Sequence, residues 1–220
     1  ANWNSPQIVT VTGVDDDLGD GEVGYTIFSE LASSADASYS NLITADVSLT
    51  NTDNDTAEIA VNPASGLMTS EAGGTATFTI VLGSQPTANV TIALASNDTS
   101  EGTVSPTSVT FTAANWSTMQ TVTVTGVNDD VDDGDVGYTI VTAAAASTDA
   151  NYNGLNAADV SATNIDNDTA GISASPASGL ITTEAGGTAA FTIVLNSQPT
   201  ANVTIGLSSS DVSEGSVSPE

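Results

Sequence analysis

The 220-residue chain has no lysine, no arginine, no histidine and no cysteine. Each absence excludes a class of chemistry. Without cations, and at a formal charge of −27, the chain is repelled by nucleic acid and by anionic membrane surfaces, so neither is expected as a partner. Without cysteine there is no disulfide framework and no thiol chemistry. Without histidine, lysine or cysteine only carboxylates could serve as general acid or base, as in a glycosidase pair, and no enzyme is expected. Aromatic residues are scarce at 5%. No run of about 18 apolar residues exists to insert in a membrane, and Ala1-Asn2-Trp3 lacks the basic region that opens a signal peptide. What is present is an ordinary apolar share of 39%, enough to build a core and too much for a disordered acidic tail.

The acids are not spread evenly. Asn128-Asp129-Asp130-Val131-Asp132-Asp133-Gly134-Asp135 packs like charges into one short stretch, and Asp15-Asp16-Asp17-Leu18-Gly19-Asp20-Gly21-Glu22 is nearly the same stretch again. Each lies between a Val-Thr-Val-Thr-Gly-Val segment and a Val-Gly-Tyr-Thr-Ile segment, which reads as a loop joining two β-strands. Carboxylates held a few ångströms apart repel one another and raise each other's pKa unless a cation sits between them. Calcium suits such a set, because it takes six to eight oxygen ligands in flexible geometry; zinc and copper do not suit a chain without His or Cys. The bland alternative is a solvated acidic loop that only keeps molecules apart.

The duplication extends over the whole chain. Trp3 recurs as Trp116, and that offset of 113 aligns Tyr25 with Tyr138, Asp53-Asn54-Asp55 with Asp166-Asn167-Asp168, and Glu71-Ala72-Gly73-Gly74 with Glu184-Ala185-Gly186-Gly187, with no gap. About two-thirds of aligned positions are identical, a tandem repeat of immunoglobulin-sandwich size. Taking Asp-Asn-Asp as the boundary, residues 56–168 form one complete repeat, 1–55 the C-terminal half of a preceding one and 169–220 the N-terminal half of the next. Neither half can close a sandwich alone; each is expected to be completed by neighbouring repeats of a longer chain or by head-to-tail copies forming a filament.

Within 56–168 the pattern is that of strands. Period-two alternation sets Ile59 and Val61, then Phe78, Ile80 and Leu82, then Val90, Ile92 and Leu94 on inward faces. A short piece over 102–106, then Val109 and Phe111, Val122 and Val124, Val136, Tyr138 and Ile140, and finally Val160 with Ile165 complete seven or eight strands. Turn signals such as Gly73-Gly74 and Ser84-Gln85-Pro86 separate them. Outward faces are mostly threonine. Trp116 is expected to plug one end of the core. Asp149-Ala150-Asn151-Tyr152-Asn153-Gly154 matches the opening of an EF-hand loop but has Val160 at loop position 12 and no flanking helices, so an Asx-rich turn is the better reading. Asn-x-Ser/Thr triplets arise by chance at this composition and carry no glycosylation expectation.

The order Ser70-Glu71-Ala72-Gly73-Gly74-Thr75, Phe-Thr-Ile-Val-Leu, Asn115-Trp116, Gln120-Thr-Val-Thr-Val, the acidic loop 128–135 and the closing Asp166-Asn167-Asp168 resembles the Calx-β domain. Its wording is most similar to tandem repeats of large bacterial surface adhesins and extracellular matrix proteins. The resemblance implies an all-β fold of tandem immunoglobulin-like sandwiches. It also implies calcium ligands, by position, at Glu71, at Asp98, at Asp129, Asp130, Asp133 and Asp135, and at Asp166 and Asp168. The repeat extends the set to Asp16, Asp17, Asp20, Glu22, Asp53 and Asp55. Two departures from the calcium-binding members are Asn128 at the loop's start and aspartates where longer glutamates stand later in it.

The function expected is a non-catalytic extender of a secreted, bacterial cell-surface adhesin or extracellular filament, rigidified by Ca2+ near domain boundaries. The alternative is a module whose loops or threonine faces hold a carbohydrate, ice or protein partner; regularly spaced threonine rows would favour it.

Overall fold

The structure, a computed structural model, describes residues 2–219; Ala1, which opens the first copy of the repeated motif, and Glu220 lie outside that range. The described residues contain strands and turns and no helix. Nine strands build one closed sandwich: β3 (Ile59–Asn62), β4 (Leu67–Ser70), β5 (Thr75–Leu82), β6 (Val90–Ser96), β7 (Gly102–Ser105), β8 (Ser108–Phe111), β9 (Gln120–Gly126), β10 (Val136–Thr142) and β11 (Val160–Ile165). They form a four-stranded sheet in the order β3-β5-β9-β7 and a five-stranded sheet in the order β4-β11-β10-β6-β8.

The alternation read from the sequence is what packs the two sheets together. Phe78, Ile80, Leu82, Val122 and Val124 from one sheet meet Val90, Ile92, Leu94, Phe111, Ile140 and Val160 from the other, all buried. Trp116 is partly buried against this cluster, in the position expected of a plug. Tyr152, from the loop before β11, caps the same end of the core: its hydroxyl bonds to the Ser84 N–H, hydroxyl and carbonyl at 3.1, 2.9 and 2.7 Å. Asp149 belongs to the Asx turn expected there, its carboxylate accepting from the N–H groups of Asn151 and Thr87.

One strand was missed. The first strand of the sandwich divides at Pro63: β3 pairs antiparallel with β5 in one sheet, and β4 crosses to pair parallel with β11 in the other, Leu67 beside Ala162 through Ser70 beside Ile165. Four residues are too few to display a period, and a parallel partner ninety-five residues away leaves no local turn signal.

The flanks differ from the middle. In residues 2–55, β1 (Val23–Ile27) pairs with β2 (Val47–Asn51) in the register of β10 and β11. Residues 9–14, expected to be a strand by repetition, join no ladder, and Ile8 and Val9 are exposed. In 170–219, β12 (Ile172–Ser175) pairs with β13 (Thr192–Leu195) as β3 pairs with β5. Ile181 and Val203, whose counterparts Met68 and Val90 lie in strands, join none.

Candidate metal centre

Chain direction brings four connections to one end of the sandwich. β4, β6, β9 and β11 finish there, and β7 and β10 begin there. The apolar alternation stops at this end: the last inward positions of β4 and β11 are Thr69 and Asn164, both fully buried. Thr69 bonds the Tyr138 hydroxyl at 2.9 Å and donates to Asn164 Oδ1 at 3.1 Å. Asn164 Nδ2 in turn donates to the Val127 carbonyl at 2.9 Å and, more weakly, to Glu101 Oε2 at 3.4 Å. Gly126, the last residue of β9, has to be glycine, since a Cβ would collide with the Ser70 carbonyl and the Asn164 amide. The core therefore hands over to a polar layer before reaching the acids.

Two carboxylate triads sit on that layer. Glu71, Asp166 and Asp168 form one, and Glu101, Asp129 and Asp133 the other, each with ligand oxygens within 4.8 Å of one another. Oxygens held by one calcium ion at 2.3–2.6 Å lie at most about 5 Å apart, so both triads fit that ion. Each triad is built around a buried glutamate: Glu71 is 4% exposed and Glu101 7%. Burial pushes both carboxyls up from the ordinary range, and neighbouring aspartates push the same way.

Backbone donors hold the remaining acids in place. Asp166 accepts from the N–H groups of Gly134 and Asp168, each at 2.7 Å, and these bonds depress its pKa. Gly134 reaches that position with a φ of 79°, a region side-chain-bearing residues avoid. Asp129 accepts from Val131 N–H at 2.7 Å and Asp135 from Asp166 N–H at 3.2 Å. Asp168, in contrast, is raised, first by desolvation and then by repulsion from Asp130. Asn128, one of the departures from the Calx-β pattern, is a strut: its Oδ1 accepts from Asn167 Nδ2 at 3.0 Å and its Nδ2 donates to the Asp129 carbonyl at 2.7 Å.

Of the residues expected as ligands, Glu71, Asp129, Asp133, Asp166 and Asp168 come together. Asp130 and Asp135 border them without joining a triad, and Asp98 does not join one either. The Asp98 carboxylate is turned back on its own loop, accepting from the N–H and hydroxyl of Ser100, which lowers its pKa. The inward acid of that loop is Glu101, which the sequence reading missed. Its signal was available: Asp98-x-x-Glu101-Gly102 recurs as Asp211-x-x-Glu214-Gly215, with the glutamate placed immediately before β7.

The first copy of the loop repeats the backbone geometry. Gly21 N–H donates to Asp53 at 2.6 Å and Leu18 N–H to Asp16 at 3.0 Å, the counterparts of Gly134 to Asp166 and Val131 to Asp129. Asp53 is depressed by its backbone donors, while Asp55 is raised by desolvation and then by Asp53. Asp17, Asp20 and Glu22 stand in the same loop. Among the described residues this copy forms no triad.

No family model matches the chain, and no curated protein matches it. Solved structures do. They include the apo-form Calx CBD1 domain, with a TM-score of 0.40 and 11% identity over 52% of this chain and 100% of that one. A chaperone–tip adhesin complex of CFA/I fimbriae is similar at a TM-score of 0.37 and 11% identity, over 63% and 69%. Domains 4 and 5 of the S-layer protein SbsC are similar at 0.29 and 20%, over 67% and 71%. By its own two packed sheets this chain is an all-β sandwich protein.

Proposed function

We propose that the chain is a non-catalytic extender segment of a bacterial surface or extracellular protein, built of Calx-β-like repeats of which 56–168 is one unit, and rigidified by calcium at the acidic end of each sandwich. The observation that carries the reading is the pair of buried glutamates, each facing two aspartates in a chain that has no cation of its own. A buried carboxylate costs free energy unless it is paired, protonated or metal-bound. Here no cationic side chain exists to pair it. Calcium bound by Glu71, Asp166 and Asp168 would tie the end of β4 to the residues that lead into the following repeat, and calcium bound by Glu101, Asp129 and Asp133 would tie the acidic loop to the body of the sandwich. Relieved of self-repulsion, successive sandwiches form a rod, and withdrawing the ion loosens it. Calorimetric titration of the 220-residue chain with calcium, paired with thermal melting in calcium and in chelator, tests this: about two ions bound per closed sandwich and a calcium-raised melting point are expected. A melting point indifferent to calcium refutes it.

One observation favours the second reading, a binding face. On the outer side of the four-stranded sheet Thr75, Thr77 and Thr79 stand directly opposite Thr125, Thr123 and Thr121, with Thr103 and Ser105 extending two of the rows. Such a face presents hydroxyl and methyl groups at about 4.8 Å across strands and 6.7 Å along them, a pattern suited to a periodic hydroxyl-rich partner such as ice or crystalline polysaccharide. The next repeat breaks it, with Ala190 at the position of Thr77. Retention of the chain on ice or on insoluble polysaccharide, lost on Thr123→Tyr, is the test of this reading.

A further inference from the structure

The acidic loop faces two ways. Its base supplies Asp129 and Asp133 to a triad; its tip touches the next repeat. Gln198 N–H donates to the Asp130 carbonyl at 2.6 Å, and 113 residues earlier Gln85 N–H donates to the Asp17 carbonyl at 2.7 Å. The same pair of positions is therefore joined at both junctions. A second pair of positions agrees. Asp132 accepts from Ala170 N–H at 2.7 Å. Its counterpart Gly19 faces the counterpart N–H of Ala57, which lies 3.2 Å from where a Cβ would stand. At the first junction Asn151 Nδ2 also donates to the Gly19 carbonyl at 2.8 Å.

The receiving surface is braced from inside. Gln85 follows Ser84, which is buried and held from inside by the Tyr152 hydroxyl, and Asn151 precedes Tyr152 in the loop that Asp149 braces. The two contacts made by the incoming loop thus land on the capped end of a packed core.

We propose that the Ser-Gln turn of each repeat, together with the Asn151 loop, is a socket for the acidic-loop tip of the preceding repeat, and that metal bound at the base of the loop fixes the angle between successive sandwiches through it. This rests on the calcium reading given above. It adds the surface through which stiffening passes from one repeat to the next: without the tip contact, a metal-loaded sandwich is ordered at its end while the junction still swings. It also assigns Asp132, which belongs to neither triad, to the junction.

Because the chain has no cysteine, a single introduced pair reports on the junction. Spin labels at Met119→Cys and Val194→Cys, both exposed positions on opposite sides of it, give a distance distribution by pulsed dipolar spectroscopy on the 220-residue chain. Calorimetry on the same samples counts bound calcium. Saturating calcium should narrow the distribution at least twofold. Asp132→Ala should bind the same number of ions and stay broad. A distribution equally narrow with and without calcium, or one that calcium narrows as much in Asp132→Ala, overturns the socket while leaving the metal reading intact. Absence of calcium binding removes the metal reading itself, and the coupling with it.

Discussion

Replacing Glu101 by Gln separates a metal ligand from a packing residue, because the two roles predict opposite signs. The carboxylate is 7% exposed, accepts a bond from Asn164 and faces Asp129 and Asp133. Glutamine has the same shape, and its carbonyl oxygen can still accept from Asn164. In chelator the substitution therefore removes a buried charge and its repulsion from Asp133, Asp98 and Asp129 while losing little, and the melting temperature should hold or rise by a few degrees. With calcium at about a hundred times its dissociation constant, a site present only in the folded state adds about 2.7 kcal/mol, so two independent sites add about 5 kcal/mol. At roughly 4 °C per kcal/mol for a domain of this size, the calcium increment is about 20 °C in the parent and about 10 °C in Glu101→Gln. Scanning calorimetry in chelator and in excess calcium reads both quantities. If Glu101→Gln lowers the melting temperature by the same amount in both buffers, the residue is a hydrogen-bonding element of the fold and the triad is not a calcium site.

Four further outcomes follow from the geometry. In chelator, Glu71 and Glu101 hold protons more tightly when folded, so stability falls as pH rises from the unfolded value of about 4.3 through their raised folded values. Asp53, Asp98 and Asp166 are depressed, and their contribution, present above about 3.9, is lost as pH falls through their folded values; metal-free stability should therefore peak on the acid side of neutral, whereas calcium-loaded protein should lose stability on the same acidification, as measured by denaturant unfolding across pH. Tyr152→Phe leaves the buried Ser84 hydroxyl and N–H without their partner, at about 1–3 kcal/mol in denaturant unfolding. Phe111→Ala empties a fully buried site between the sheets and should cost about 3–5 kcal/mol in the same assay. Gly19→Asp places at the first junction the carboxylate that Asp132 supplies at the second; a label pair across that junction should show a narrower distance distribution than the parent.

The strands of the sandwich were legible because each inward face is a run of alternating large apolar residues, and Phe78, Ile92 and Val124 need no partner to announce themselves. What the alternation could not convey was pairing. Residues 9–14 have the composition of β9, yet they join no ladder, because a ladder is a property of neighbours. β4 was hidden for the converse reason: its identity comes from β11, far along the chain. At the candidate metal centre the acidic loop and the Asp-Asn-Asp boundary were plain from charge density. Glu101 was not, since a glutamate between Ser100 and Gly102 looks solvated until Asn164 is seen beneath it. Aspartates close in sequence advertise a loop; the buried acid that gives it depth comes from another strand.

The parallel pairing of β4 with β11 has a mechanical meaning. The chain enters the sandwich ahead of β4 and leaves after β11, and because the two strands point the same way, tension along the polypeptide slides one past the other. Their hydrogen bonds are then stretched together, in shear, where an antiparallel hairpin pulled from its open end would unzip one bond at a time. Glu71 and Asp166 stand one step beyond the sliding pair, so an ion shared between them would act as a rivet against that motion. Resistance to pulling is thus written into which edge the split first strand chose.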